Sequence, residues 1–206
     1  AILSLSALLF SCSKEEPTPQ VTATTGKIEL KFDPYFNEAK LPMGSTVVTP
    51  LGDTITITKA AYYLSNIILT KADGTKFIQP ESYHLVNHEN GIVKLTLDSV
   101  PEGEYTAITF TIGVDSLRNV SGAQTGALDP ANQMFWSWKT GYIFMKLEGS
   151  SPSAVTASNQ AGNFFFHVGG FQSPTNCIRT ISPKLNGNKF SVSPISTPSA
   201  HFHVEL

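Results

Sequence analysis

The sequence predicts an all-β protein, an antiparallel β-sandwich or Greek-key fold with one long functional loop. Short stretches in which apolar and polar residues alternate recur along the chain, and a period of two is typical of half-buried strands. Turn-forming pairs such as Asp73-Gly74 and Asn186-Gly187 separate these stretches. No window keeps a helical period beyond a turn or two. About ten short strands at this spacing are typical of sandwiches and Greek-key barrels.

The strands are predicted from residue type as well as from the period of alternation. Lys27–Phe32 alternates charged and apolar residues, and Thr54–Thr58 alternates Thr with Ile, a β-branched composition that is favoured in strands. The remaining predicted strands are Ala61–Thr70, Ser82–Val86, Ile92–Leu97, Tyr105–Val114, Tyr142–Leu147, Asn163–Val168, Cys177–Ile181, Lys189–Val192 and His201–Leu206.

The first residues indicate export. Ala1–Phe10 is an apolar run of small residues that is too short to span a bilayer as a helix. A Cys directly after Leu-Phe-Ser resembles a bacterial lipobox, so residues 1–12 are predicted to be a signal peptide with Cys12 as the lipidation site. The alternative is a plain signal peptide with a chance Cys. Ser13–Pro17 resembles the acidic export tract of Bacteroidota lipoproteins.

The rest of the chain divides into a tether and one domain. Residues 13–25 are rich in Pro and Thr and poor in apolar residues, a composition that favours a flexible tether. Residues 26–206 form a single predicted β domain of ordinary size. The strand pattern is unfinished at Leu206, so a C-terminal truncation is one interpretation. The expected location is the periplasm or the outer-membrane or cell surface.

Net charge bears on the binding of nucleic acid and membranes, and cysteine content bears on disulfide formation. The chain has 14 Lys and Arg against 16 Asp and Glu, a net charge of −2, which gives no electrostatic case for nucleic acid or for an anionic membrane surface. The lipid would hold the protein to a membrane. If Cys12 is acylated, Cys177 is the only thiol left, and an intramolecular disulfide is impossible.

One segment interrupts the β pattern. Asp115–Thr140 contains no convincing strand, and a connection of about 25 residues in a compact domain is usually functional or disordered. Its aromatic end favours order, so we expect the function here. Asp and Asn on a loop could hold Ca²⁺, but their commoner role is to fix turns, with Asp115 pairing with Arg118. The residues predicted to structure the loop are Asp115, Arg118, Asn119 and Asp129.

A Trp-x-Trp motif and a His beside a Gly pair are the chemical features of the sequence. Trp136 and Trp138 close the long loop, and His167 stands between an apolar run and Gly169-Gly170. Tryptophan is oxidisable, and histidine is the commonest transition-metal ligand. A metal or redox site is therefore one interpretation of the pattern. The alternative is an aromatic core with an ordinary, hydrogen-bonded histidine.

Copper at such a site needs two or more nitrogen or sulfur donors. His201-x-His203 places two imidazoles on one face of a strand, a spacing that can chelate, although a solvent-facing pair is the plainer interpretation. The candidate donors are His167, His84, His201 and His203, with Cys177 and Met134 as sulfur donors.

Several further motifs occur in a fixed order along the domain. They are Gly52-Asp53, Tyr62–Ile67, Gly113–Ser116, Arg118-Asn119, Gly122–Pro130, Met134–Trp138, Gly141–Phe144, Leu147–Gly149 and His167–Gly170. Together these motifs resemble the MbnP-like (methanobactin-partner) family.

The resemblance implies a periplasmic or surface β-protein that binds copper. It also implies a partner, a di-haem enzyme of the MauG type that oxidises a tryptophan to kynurenine, whose new polar groups help to hold copper. His167 and the Trp136/Trp138 pair stand where the family has motifs. Which tryptophan would be modified is left open by the resemblance.

Two functional hypotheses follow. The first is an exported, lipid-anchored copper-binding protein without catalytic activity, since G-x-S-x-G, H-E-x-x-H, P-loop and C-x-x-C motifs do not occur. The second is a non-catalytic surface module for ligand binding, carbohydrate binding or adhesion, in which Tyr62, Tyr63 and Tyr142 stack on sugars. A cluster of donors favours the first hypothesis, and a flat aromatic face without such a cluster favours the second.

Overall fold

A computed structural model describes residues 24–137 and 140–206. It confirms an all-β sandwich of mostly antiparallel sheets that do not close into a barrel. The strands are β1 (Thr25–Phe36), β2 (Ala39–Lys40), β3 (Thr46–Val48), β4 (Thr54–Lys71), β5 (Lys76–Ile78), β6 (Tyr83–Asn87), β7 (Lys94–Pro101), β8 (Gly103–Ile112), β9 (Phe135–Ser137), β10 (Gly141–Ser150), β11 (Asn163–Gly169), β12 (Arg179–Ile181), β13 (Phe190–Val192) and β14 (Ser199–Glu205).

Helical structure is limited to short segments within the described ranges. Helix α1 spans Ser116–Val120, and 3-10 turns span Gly126–Leu128, Pro130–Asn132 and Pro152–Ala154. None of these helices has the length and apolar character needed to cross a bilayer. The predicted signal peptide with Cys12, nearly all of the predicted tether, and Trp138 lie outside the described residues.

The wider of the two sheets is built around β4. This strand runs unbroken for 18 residues, where the sequence pattern predicts two strands separated near Lys59. A register shift beside that residue lets β4 change its pairing without ending, as β-bulges do. The first half of β4 pairs with β10 and the second half with β8, while β11 pairs with the other side of β10.

The narrower sheet contains β14, β1, β2 and β7. Its last strand, β14, runs parallel to β1, so the sandwich is not purely antiparallel. Alternation along β14 points Phe202 toward the interior and leaves His201 and His203 exposed. The space between the two sheets is filled mainly by aliphatic and aromatic side chains, among them Ile28, Leu30, Phe32, Ile67, Leu97 and Phe110.

The second face of the wide sheet is also buried. The segment 115–137 covers it, and a separate apolar cluster fills the space beneath. Because both faces are covered, consecutive residues of β4 are buried: Tyr62 faces the narrow sheet and Tyr63 faces the covering segment. The second cluster includes Tyr63, Leu85, Leu128, Met134, Tyr142 and Phe144.

The covering segment contains one strand that the sequence pattern does not reveal. Strand β9 pairs with the start of β10, but three residues are too few to show a period. Two tyrosines of the sheet fix the segment from below, since the Tyr63 hydroxyl donates to the Ala127 carbonyl at 2.9 Å and the Tyr142 hydroxyl donates to the Leu128 carbonyl at 2.7 Å.

Asn119 connects this segment to the sheet. Its side chain is 2% exposed. Its amide nitrogen donates to the carbonyls of Val114 at 2.6 Å and Asp115 at 3.0 Å, and its oxygen accepts the backbone N–H of Tyr142 at 2.9 Å. An unpaired buried backbone group is costly, so Asn119 satisfies groups that would otherwise oppose folding.

We expect Asn119→Ala to lower the free energy of unfolding by about 2–4 kcal/mol, because it leaves the buried Tyr142 N–H and Val114 carbonyl without partners. Urea denaturation measures this change. The control is Asn188→Ala at an exposed turn, which should shift the free energy by less than about 0.5 kcal/mol. Equal effects from the two substitutions would show that Asn119 does not hold the segment in place.

Candidate functional site

The outer face of β10 and β11 carries the sequence-predicted residue His167. Alternate residues of a strand share a face, so Phe165, His167 and Gly169 lie together on β11. His167 is opposite Lys146 of β10, and Phe165 is opposite Glu148. His167 Nε2 lies 2.7 Å from Glu148 Oε1, a hydrogen bond that crosses diagonally between the strands.

Glu148 is the centre of a charged group. Its other oxygen lies 3.6 Å from the Lys59 ammonium, which is also 3.4 Å from Glu89. Burial acts to raise the pKa of Glu148, but the hydrogen bond with His167 and the charges of Lys59 and Lys146 outweigh it, so the pKa lies below its usual value. Glu148 is therefore ionised and fixes the orientation of the His167 ring.

Trp136 packs against the end of β11. A Cβ atom on Gly169 would lie 2.7 Å from the Trp136 ring and 2.5 Å from the Tyr142 carbonyl oxygen, so only glycine allows this approach. The Trp136 side chain is nevertheless 44% exposed. Phe165 is 62% exposed, with its ring centroid 6.4 Å from that of His167. Trp136, His167 and Phe165 thus form an accessible aromatic row.

The other predicted histidine donors lie elsewhere in the fold. His84 on β6 contacts Gln79 Oε1 at 3.0 Å, His201 on β14 is 3.7 Å from Asp33, and His203 stacks on Tyr35 at 3.9 Å between centroids. Two of them therefore belong to the narrow sheet, whereas His167 is on the wide sheet.

The predicted donors do not form a single site in the described part of the chain, where no group of three or more His, Cys, Asp or Glu could hold a metal. The sulfur donors do not supply one either. Met134 is buried in the second core, and the Cys177 thiol contacts the Thr175 carbonyl. Strand alternation reveals which residues of one strand share a face, but not which strands become neighbours.

The residues predicted to structure the loop have defined contacts. Asp115 accepts the Arg118 backbone N–H at 3.1 Å as the N-cap of α1, and Asp129 accepts the Ala131 N–H at 2.8 Å. The Arg118 side chain, instead of pairing with Asp115, forms an ion pair with Glu81. Asp115 and Arg118 therefore interact through the helix cap and not through their charges.

Sequence reasoning missed several polar residues. Lys146 is only 7% exposed, and its ammonium donates to the Gln133 carbonyl. Its presence within the apolar run Ile143–Leu147 is a signal that could have identified it. His88 is also buried, with Nε2 3.3 Å from the Tyr62 hydroxyl. Its Nδ1 has no hydrogen-bond partner among the described residues, and no sequence motif indicated this.

Comparison with protein-family models identifies the family of this chain. The MbnP family model matches residues 25–206. A solved structure, MbnP from Methylosinus trichosporium, superposes with a TM-score of 0.57 at 16% sequence identity, covering 82% of this chain and 72% of that one; this likeness shows the fold. The comparison with curated proteins gave no match. The chain belongs to the MbnP family.

We expect Gly169→Ala to displace the Trp136 ring, because the new Cβ has no room beside it. In a Trp138→Phe background, the fluorescence of Trp136 should shift to longer wavelength, and the free energy of unfolding should fall by about 1–3 kcal/mol. Gly91→Ala is the control, since no atom lies within 4 Å of its Cβ position; it should leave the emission unchanged. An unshifted spectrum in Gly169→Ala would contradict the packing.

We expect Glu148→Gln to remove part of the acid dependence of stability. The folded pKa of Glu148 is lowered, so its ionised form stabilises the fold above the ordinary pKa of about 4.3, and this contribution disappears as the pH falls through the folded value. Urea denaturation should show a difference between wild type and variant at pH 7 that shrinks toward pH 3. The exposed Glu38→Gln serves as control. A difference independent of pH would refute the assignment.

Proposed function

We propose that this MbnP-family protein is an exported, lipid-anchored, non-catalytic protein that binds copper on the outer face of β10 and β11. His167 is the proposed ligand, and Trp136 is the proposed oxidisable residue. The observation that carries the proposal is the 2.7 Å contact between His167 Nε2 and Glu148 Oε1.

This contact prepares His167 to bind a metal. Histidine ligands usually donate their second ring N–H to a carboxylate, which fixes the tautomer and strengthens the donor nitrogen. Here Nε2–H would donate to Glu148, which leaves the lone pair of Nδ1 available. None of the hydrogen bonds between described residues involves Nδ1. The ring is partly exposed, so an ion can reach it.

One imidazole is insufficient for copper, and Trp136 can provide the additional donors. Oxidation to kynurenine is a four-electron step that needs dioxygen or two equivalents of peroxide as the oxidant. It inserts oxygen across the indole C2–C3 bond, and hydrolysis by one water then releases C2 as formate and leaves an aromatic amine and a ketone. Trp136 packs on Gly169, which lies two residues and about 7 Å along the strand from His167. These distances support a site that is completed only after the tryptophan is modified.

The family resemblance suggests a MauG-type di-haem enzyme as the oxidising partner. Electron removal from a tryptophan by another protein requires that the ring lie near the surface, and the 44% exposure of Trp136 meets this requirement. Trp138, outside the described residues, is the alternative target. The proposed location is the periplasm or the outer-membrane or cell surface, with the lipid on Cys12 as the membrane anchor.

A specific observation favours the second candidate, a surface ligand-binding module. The described residues present exposed Phe165 and Trp136 side chains without a three-donor group beside them. Aromatic rings that combine an apolar face with accessibility can stack on sugars. Copper binding and sugar binding would use the same row of residues, so substitutions distinguish them only when the ligand itself is measured.

We expect His167→Ala to abolish copper binding by protein purified from its own host. Glu148→Gln should weaken it by about 10- to 100-fold, because the second partner of a metal-bound histidine contributes that much. His203→Ala, on the other sheet, is the matched control and should bind like wild type. Competition titration with a copper chelator gives the affinities. Copper affinity that is unchanged in His167→Ala would exclude this site.

A further inference from the structure

A polar cleft separates the long loop from the turn that follows β6. Its floor is formed by β4 and β10, and its volume of about 330 Å³ falls in the range of small-molecule sites. The polar residues that line it are Lys59, Asn87, Glu89, Asn90, Asn132, Gln133 and Lys146.

Lys146 is the unusual residue of this cleft. It follows the buried apolar residues Tyr142–Phe144 on β10 and is itself only 7% exposed. An ammonium group has three N–H donors, and one of them reaches the Gln133 carbonyl. Within residues 24–137 and 140–206, no carboxylate forms an ion pair with Lys146. Glu148 offsets part of the Lys146 charge without forming an ion pair with it. A buried ammonium without a directly bonded counter-ion is still costly, and an anionic ligand in contact with it would stabilise it.

The neighbouring charges limit the ligand to one negative charge. Lys59 is already compensated, since it lies 3.4 Å from Glu89 and 3.6 Å from Glu148. The charged side chains that line the cleft are two cations and one anion, a net charge of +1, and Glu148, outside the lining, reduces this positive charge further. A dianion such as sulfate would exceed this charge and would approach Glu89. A single carboxylate matches it.

The remaining lining favours hydroxyl groups on that ligand. The side chains of Asn87, Asn90 and Gln133 carry amides, each of which offers both donors and acceptors. Asn87 is largely buried, and its oxygen accepts the backbone N–H of Asn90 at 3.2 Å, which holds this side of the cleft in place. Amides and one ammonium are the groups that bind hydroxylated carboxylates such as sugar acids.

We propose that this cleft binds a small monocarboxylate bearing hydroxyl groups, with the carboxylate on Lys146 and the hydroxyls on the amides of Asn87, Asn90 and Gln133. The inference does not rest on copper binding, because the side chains assigned to this ligand are not copper-donor candidates; Met134, which also lines the cleft, is buried. Burial lowers the pKa of Lys146, an effect that nearby Glu148 partly offsets, so a bound carboxylate should raise this pKa again.

Isothermal titration calorimetry on copper-free, folded protein tests the proposal with glucuronate, gluconate and lactate as probes. Glucose is the neutral counterpart of glucuronate, and sulfate is the dianion. We expect glucuronate or gluconate to bind, and glucose and sulfate to bind about 10- to 100-fold more weakly, the usual contribution of a hydrogen bond to a charged group. Absence of binding by all three carboxylates would overturn the proposal.

Two variants locate the binding. Lys146→Met should weaken carboxylate binding by about 10- to 100-fold, whereas Lys27→Met removes the same charge at an exposed ion pair with Asp98 on the narrow sheet and should have no effect. If Lys146→Met does not fold, Asn90→Ala at the exposed rim of the cleft provides the test. The loss of the Asn90 amide should weaken carboxylate binding severalfold. Wild-type affinity in either folded variant of the cleft would overturn the proposal.

Discussion

The attachment of residues 115–137 to the outer face of the wide sheet is the constraint on which the rest of the structure depends. The side chain of Asn119 forms hydrogen bonds with three backbone groups. The hydroxyls of Tyr63 and Tyr142 donate to the carbonyls of Ala127 and Leu128. Without this cover, the second apolar cluster would face water. The cover also places β9, and with it Trp136, beside the end of β11.

The same attachment brings the functional groups together. At one end of residues 115–137, Trp136 packs against Gly169, on the strand that also carries His167. Nearby, the Gln133 carbonyl accepts a hydrogen bond from the Lys146 ammonium, and both residues line the polar cleft. Strand β11 lies at the end of the strand order of the wide sheet, so one of its edges pairs with no other strand of the described residues. The exposed side chains of Trp136 and Phe165 show that this end of the outer face is accessible.

The sequence predicts the fold, but it does not predict which residues contact one another at the candidate site, and the two outcomes have different physical reasons. Alternation in stretches such as Lys27–Phe32 follows directly from burial on one face, so the β architecture is visible in the pattern. The division of β4 into two strands is wrong because a bulge changes the pattern without ending the strand. The partners of His167 could not be predicted, since Glu148 and Lys59 approach it only through strand pairing between residues far apart in the chain.

Metal content and intact mass, measured together on mature protein purified from its own host, test the copper proposal most directly. We predict copper near one ion per chain, with the mass change of tryptophan conversion to kynurenine, and peptide mapping should place that change at Trp136. Copper without a modified tryptophan would mean that Trp136 does not complete the site. Unmodified protein that takes up no copper even after loading would contradict copper binding and leave the surface binding module as the function.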